Sequence, residues 1–250
     1  MSFTVLGLVL VLPVAVASAQ STVKYGIAFG LGMSNVAGDG WSTWSELAGA
    51  DYNNRSMAGF AAGLFVRVPV GMRGVSLQPE VLYVTKGSNV DAPIITYPVL
   101  REPAEMVMRV RTDYVEIPLL VRYTLAEGKL ATPHLIFGPM LAFKVSSKVK
   151  YKDYPAHIES LRTLLSEKDI TNTKSLDYGL VLGGGVDIVI GKITSLTLDF
   201  RYTVGLIGVF EDGEFENIIH ATAIPIFVDD RGKGLELKNR DLRIIVGLTF

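Results

Sequence analysis

The feature that most constrains this chain is a strict alternation between apolar side chains and polar or small ones. In the last segment, Leu242, Ile244, Val246, Leu248 and Phe250 occupy every second position, with Arg243, Gly247 and Thr249 among the residues between them. Because successive side chains of a β-strand point to opposite faces, this pattern predicts a strand with one apolar face. About eight such segments occur, near 24–33, 56–70, 73–87, 108–125, 132–148, 174–190, 193–209 and 238–250. Each can supply the ~9–11 residues that a tilted strand needs to cross a bilayer.

The connections between these segments alternate in length. Short ones near 71–74, 127–132 and 191–192 separate long ones at 34–55, 88–107, 149–173 and 210–237. This rhythm is typical of outer-membrane barrels. We therefore predict an all-β fold, an eight-stranded antiparallel transmembrane β-barrel with short periplasmic turns and long extracellular loops.

A soluble lipocalin-like barrel is the competing interpretation, with an apolar inside and a polar outside. The first segment argues against it. Tyr25, Phe29 and Leu31 share one face, whereas the other face carries the small residues Gly26 and Gly30. Small residues have no evident use on a solvated surface, but in a narrow membrane barrel they make room for long inward side chains.

The N-terminus has the pattern of a secretory signal peptide. An apolar run from Val5 to Val16 is followed by Ala17-Ser18-Ala19, which predicts cleavage after Ala19. The expected organisation is a signal peptide at 1–19 and an outer-membrane β-barrel domain at 20–250. The alternative for residues 1–19 is an uncleaved membrane anchor. Either one directs the body of the chain out of the cytoplasm.

Composition narrows the function classes. The chain has no Cys, so disulfides, thiolate metal sites and Cys nucleophiles are excluded. A formal net charge of -1 gives no case for nucleic-acid binding. The expected partners are outer-membrane lipid and the barrel-assembly machinery.

The faces opposite the apolar ones carry charges of both signs. An unpaired charge in a narrow interior costs several kcal/mol, so opposite signs should pair there. We expect a lumen charge network that plugs the barrel, and a polar ion path is the alternative. The members of the charge network are Arg67, Glu80, Glu116, Arg122, Asp187, Asp199, Arg201 and Arg243. Arg67, Arg122 and Asp187 are expected near the periplasmic end, and the others near mid-height.

Three prolines, Pro79, Pro118 and Pro139, fall inside the third, fourth and fifth segments. Proline cannot donate to a ladder and is normally confined to strand edges or bulges. A closed barrel has no edges. We therefore predict bulges or local bends at these positions, which would form a seam on one wall.

Several motifs resemble the PorT-like outer-membrane β-barrel family. They include Gln78-Pro79-Glu80-Val81-Leu82-Tyr83 and Tyr114-Val115-Glu116-Ile117-Pro118-Leu119-Leu120, followed by Gly138-Pro139, Gly183-x-Gly185-x-Asp187 and Arg201-Tyr202. The resemblance covers nearly the whole mature chain and implies the barrel fold in the cell outer membrane. The founding member of the family resembles an accessory component of type IX protein secretion. The resemblance therefore implies a non-enzymatic role in export, with secretion-system proteins as partners.

Enzyme chemistry has little support in the sequence. His157 and His220 fall in separate long loops, and no spacing links them to Ser160 or Asp229 as a triad. His134 begins the fifth segment, far from the expected outer rim. We expect no catalytic residues, no cofactor and no metal site. The functional alternatives are a structural or adhesive envelope barrel, a narrow pore and, last, an outer-membrane hydrolase.

If the lumen is plugged, the loops should carry the function. The apolar positions of 154–169 follow helical spacing, and 217–230 is apolar for an external loop. The candidate loop interaction surface comprises Ile158, Leu161, Leu165, Ile224, Ile226 and Phe227. Leu248 and Phe250 fit a barrel-assembly signal, because a terminal aromatic follows alternating apolar residues.

Overall fold

The structure, a computed structural model, describes residues 23–40, 42, 53–93, 105–126, 128, 130–152, 167–170, 173–191, 193–211 and 236–250. Its strands are β1 (Lys24–Ala37), β2 (Asn53–Pro69), β3 (Val75–Pro93), β4 (Glu105–Thr124), β5 (Ala131–Lys152), the two-residue β6 (Lys168–Asp169), β7 (Leu176–Val189), β8 (Ser195–Gly205) and β9 (Lys238–Thr249). No helix in the described ranges is both long and apolar enough to cross a bilayer.

The strands form one closed antiparallel sheet. The order is β4-β3-β2-β1-β9-β8-β7-β5, and β4 pairs with β5 to close the circle. β6 is not one of the eight wall strands. It pairs with Lys148 and Val149 of β5, beyond the part of β5 that pairs with β7. The eight-stranded antiparallel barrel predicted from the alternation is therefore confirmed. We call the end that carries connections 70–74, 125–130 and 190–194 the turn end, and the opposite end the loop end.

The alternation sorts side chains to the two sides of the wall. In β1, Phe29 and Leu31 are exposed on the outer face, whereas Gly26 and Ala28 are buried. The inner face of β8 buries Asp199 and Arg201, while Phe200 is exposed outside. An apolar outer surface around a charged interior is the arrangement that lipid contact requires.

The wall is taller on one side than the sequence indicates. β3, β4 and β5 reach Pro93, Glu105 and Lys152, beyond the expected limits near 87, 108 and 148. β8 is shorter than expected and ends at Gly205. The longer strands persist because their inward residues, Val90 among them, stay buried above the expected rim.

Of the bulges or local bends predicted at the prolines, the bulges are absent, but the ladders are interrupted at all three positions and form the expected seam. The β3–β4 pairs run from Pro79–Leu119 to Leu82–Glu116 with the register unchanged across Pro118. The register is likewise unchanged across Pro79 in the β2–β3 pairing and across Pro139 in the β4–β5 pairing. Each proline leaves ladder pairs missing toward one neighbour without adding a residue, so no bulge is needed.

The register shifts lie nearer the loop end. They fall between Ser56 and Ala61 in β2–β3 and between Asp113 and Tyr114 in β4–β5. A glycine accommodates the proline seam: a Cβ at Gly138 would meet the Leu119 carbonyl of the facing strand. The strands therefore approach closely at the seam without a change of register.

Candidate functional site

The lumen layer nearest the turn end is built around Asp187 of β7. Its Oδ2 accepts a hydrogen bond from Arg67 Nη1 at 3.0 Å and a second one from Arg122. Thr197 Oγ1 donates to the other carboxylate oxygen at 2.6 Å. Arg67 Nε also donates to Gln78 Oε1 at 3.1 Å. Two arginines from different strands thus share one carboxylate, and both are buried.

The middle layer joins opposite walls of the barrel. Arg201 of β8 donates to both oxygens of Glu80 of β3, at 2.6 and 2.9 Å, and to Asp199 Oδ2 at 2.7 Å. Gln78 Nε2 donates to Glu80 Oε1 at 2.7 Å, which ties this layer to the one below. Charge-assisted, bidentate pairs of this kind are the stronger class of hydrogen bond.

His134 connects the same two layers, and its environment fixes its tautomer. Arg122 Nη2 lies 2.7 Å from Nδ1, and Asp199 Oδ1 lies 2.7 Å from Nε2. A guanidinium can only donate, so Nδ1 must accept and the ring proton sits on Nε2, facing Asp199. The imidazole is therefore neutral in this arrangement and serves as a bridge between a cation and an anion.

The third layer, toward the loop end, centres on Arg243 of β9. Its guanidinium donates to Glu116 at 2.9 and 3.3 Å and pairs with Asp241 Oδ2 at 2.5 Å. Lys86 of β3 forms an ion pair with Glu116. Above it, Asn239 Nδ2 donates to Asp177 Oδ2 at 2.8 Å.

Apolar clusters occupy the space beside the charged layers. One contains Ala28, Ala61, Phe65, Leu82, Val84 and Ile245, and the other Tyr114, Leu120, Ile136, Met140, Ala142 and Val181. Each of these residues is at most 4% exposed. An eight-stranded barrel has an interior just wide enough for side chains to fill. Here ion pairs and apolar side chains fill it together.

Seven of the eight residues of the expected lumen network are buried and Asp187 is partly buried, and each of the eight has a partner of opposite charge. The structure adds members that the sequence interpretation left out: His134, Lys86, Asp177 and Asp241. For Lys86, Asp177 and Asp241, strand parity was the available signal, because each lies an even number of residues from a network member on its own strand. His134 had no such signal, because β5 carries no member of the expected network. His134 was interpreted only by its distance from the outer rim.

At the loop end, described segments adjoining β6, β7, β8 and β9 continue the backbone pairing of the wall and bury apolar side chains. Ile170, Val209, Phe210 and Leu237 are at most 4% exposed. Backbone hydrogen bonds tie them together: Ile170 N donates to Ser147 O, and Val209 N donates to Leu237 O at 2.8 Å. The proposed interaction surface, Ile158, Leu161, Leu165, Ile224, Ile226 and Phe227, lies outside the described residues.

The structure describes some of the other residues that the sequence singled out. Leu248 pairs with Ile27, and Phe250 N donates to Tyr25 O at 2.8 Å, so the assembly-signal segment lies where the barrel closes. Its recognition stays a prediction. His157, Ser160, His220 and Asp229, like the signal peptide, fall outside the described residues. Within the described ranges, no group of His, Cys, Asp and Glu could hold a metal ion.

Comparison with known proteins places the chain in a family. No curated protein sequence matches it significantly. Among solved structures, it is similar to neisserial surface protein A (12% identity, TM-score 0.43, 92% of this chain and 98% of that one). It is also similar to OprG from Pseudomonas aeruginosa (10%, TM-score 0.40, 91% and 93%). A third neighbour is Ail, the attachment invasion locus protein of Yersinia pestis (9%, TM-score 0.37, 92% and 100%).

The family model described as outer membrane protein beta-barrel domain matches residues 18–211. This match covers most of the chain and agrees with its closed, lipid-adapted barrel. The chain therefore belongs to the outer membrane protein beta-barrel domain family, and its location is the outer membrane.

Proposed function

We propose that this protein is a non-conducting, non-enzymatic scaffold whose barrel anchors a working surface at the loop end. The filled lumen carries the proposal. Ion pairs cross it between β8 and β3 and between β9 and β4, at 2.6 and 2.9 Å. Moving an ion through would require breaking these pairs, and removing one partner of a buried pair costs about 3–5 kcal/mol.

The loop end supports the same proposal. Its described segments bury the apolar side chains of Phe210 and Leu237. An ordered rim of this kind offers a defined surface to a partner. In the orientation expected for outer-membrane barrels, that surface faces outward.

A conductance measurement tests the closed lumen. The purified full chain, inserted in a planar bilayer, should give no steady single-channel current. Insertion is verified separately by protease protection of the barrel in the same lipid. A stable conductance of hundreds of picosiemens would overturn the plug and favour the narrow pore.

For the biological role, we propose an accessory function in type IX protein secretion, which rests on the PorT-like motifs around Glu80 and Glu116. Deletion of the gene in its native host should deplete cargo from the culture fluid and raise it in the periplasm. The intact gene should restore export. A variant with altered Ile158, Leu161 and Leu165 should restore the barrel but not export.

The alternative role is a structural or adhesive envelope barrel. It is favoured if the deletion leaves the secreted proteins unchanged but alters surface attachment or envelope permeability. That outcome would overturn the secretion proposal and leave the scaffold proposal to the conductance test.

A further inference from the structure

A group of cations stands on the outer face of the wall just beyond its apolar belt. The outward positions of β4 change from Ile117 and Val115 to Asp113 and then to Arg111 and Arg109 toward the loop end. On the neighbouring β5, Lys148 and Lys150 follow Phe143 and Val145. We call Arg109, Arg111, Lys148 and Lys150 the basic patch. Their inward neighbours Val110 and Val149 are buried, so the patch faces away from the lumen.

The strand register places like charges directly opposite each other. Arg111 pairs with Lys148, and Arg109 pairs with Lys150. Side chains at such positions have Cβ atoms about 4.5–5.5 Å apart, and like charges there are destabilising. Two successive rows of this kind concentrate positive charge in a small area, where an anion would offset the repulsion.

In the described part of the chain, carboxylates neutralise one of the two rows. Arg111 Nε donates to Asp113 Oδ1 at 3.0 Å, and Lys148 Nζ donates to Glu167 Oε1 at 2.9 Å. The hydrogen bond from Lys148 lowers the pKa of Glu167, so that carboxylate stays charged at neutral pH. In the outer row, Arg109 Nε donates to the neutral Asn89 at 3.0 Å. Among the described residues, no carboxylate forms an ion pair with Arg109 or Lys150.

The height of the patch fits a lipid headgroup. Strands rise about 3.4 Å per residue and tilt by about 35–45° in such barrels. Arg111 therefore lies about 10 Å above Val115, the last apolar residue before the charged positions on the outer face of β4, and so on the headgroup side of the boundary between acyl chains and polar headgroups. Arg and Lys side chains are long enough to reach down toward that boundary from the row above. On the opposite wall, Lys238 and Arg240 are exposed at the same end of β9.

We propose that the basic patch binds the phosphate groups of anionic lipid headgroups in the leaflet at the loop end, with Arg109 and Lys150 as a two-cation clamp. This goes beyond the scaffold role, because it assigns a lipid ligand to the outer wall. The inner row, already balanced by Asp113 and Glu167, lies between the clamp and the apolar belt.

The test measures lipid binding to the full chain in neutral detergent by native mass spectrometry. Dioleoyl phosphatidylglycerol should bind more tightly than dioleoyl phosphatidylcholine. The Arg109→Gln/Lys150→Gln variant should lose affinity for phosphatidylglycerol by about thirtyfold, as expected for two cations at a membrane surface. Its affinity for phosphatidylcholine should not change.

The matched control is Lys24→Gln/Arg73→Gln, which removes the same charge from exposed positions at the turn end. It should bind phosphatidylglycerol within about twofold of the parent protein. Folding of every variant is checked by its heat-dependent mobility in SDS gels, and Lys150→Gln alone serves if the double variant does not fold. Equal binding of the two lipids, or an unaffected patch variant, would overturn the proposal. Displacement of phosphatidylglycerol by millimolar inorganic phosphate would reassign the patch to free phosphate.

Discussion

Arg201 holds two carboxylates at once, Glu80 across the lumen and Asp199 two residues away on its own strand. Its side chain is 5% exposed, so water cannot replace either partner. Glu80 and Asp199 lie close together only because the guanidinium lies between them. The same logic applies to Arg243 with Glu116 and Asp241. A single residue therefore controls the energy of a whole layer.

Replacing this arginine should be costly. Arg201→Met leaves two buried carboxylates without their cation, so the free energy of unfolding should fall by about 3–5 kcal/mol. The measurement is a urea titration of the barrel folded in lipid vesicles. Arg240→Met, which removes an exposed cation, should change it by less than about 0.5 kcal/mol. A loss below about 1 kcal/mol for Arg201→Met would show that the layer does not depend on this residue.

At the scale of strands, β5 shows both surfaces of the protein in one element. Leu135, Phe137, Leu141 and Phe143 are exposed outside, while His134, Ile136, Met140 and Ala142 are buried inside. Toward the loop end, the register shift opposite Asp113 and Tyr114 ends this apolar series, and Lys148 and Lys150 follow. The change marks the upper limit of the lipid belt on this wall.

A charge scan along β5 should locate that limit. Leu141→Arg, at the middle of the outward apolar series, should lower the unfolding free energy by about 2–4 kcal/mol. Val145→Arg, at the loop-end margin, should cost at most about 1 kcal/mol because the cation can reach polar headgroups. Both are measured by urea titration in vesicles of one lipid composition. Equal costs at the two positions would contradict this placement of the belt.

The elements also show how far the sequence could be interpreted. Period-two alternation located all eight wall strands and, between bulges, their faces, since there a face depends only on the parity of a position. Bulge positions could not be predicted in this way, because they depend on pairing between strands, and the prolines proved compatible with an unshifted register. The contact of His134 with Asp199 was equally hidden, since β8 lies two strands away from β5 around the wall and no local pattern links the two residues.

At the scale of the whole molecule, the pairing of β1 with β9 joins the first and last strands of the barrel. Met33 pairs with Leu242 and Ile27 with Leu248 along this contact. The chain contains no Cys, so introduced cysteines report on closure without background. The β1–β9 contact is the longest in sequence of all the wall pairings, and it forms only if every other strand takes its place.

A disulfide cross-link should detect the pairing of β1 with β9. Met33→Cys/Leu242→Cys should form a disulfide under mild oxidation, seen as a mobility shift in a non-reducing gel, because both side chains lie outside at paired positions. Met33→Cys/Leu198→Cys is the control, since β8 does not pair with β1. Equal cross-linking of both pairs would indicate an open or misordered sheet.

The ion pairs across the lumen have a consequence for assembly errors. If the register of one strand shifted by two residues, its apolar side chains would still face lipid, and the outer surface would remain compatible with the bilayer. Inside, the same slip moves a charge about 7 Å along the strand. Arg201 would then miss Glu80, and Arg243 would miss Glu116, which leaves buried charges unpaired. The outer apolar surface therefore does not distinguish the native register from a shifted one. The interior ion pairs do, because a shifted register leaves charges buried without partners.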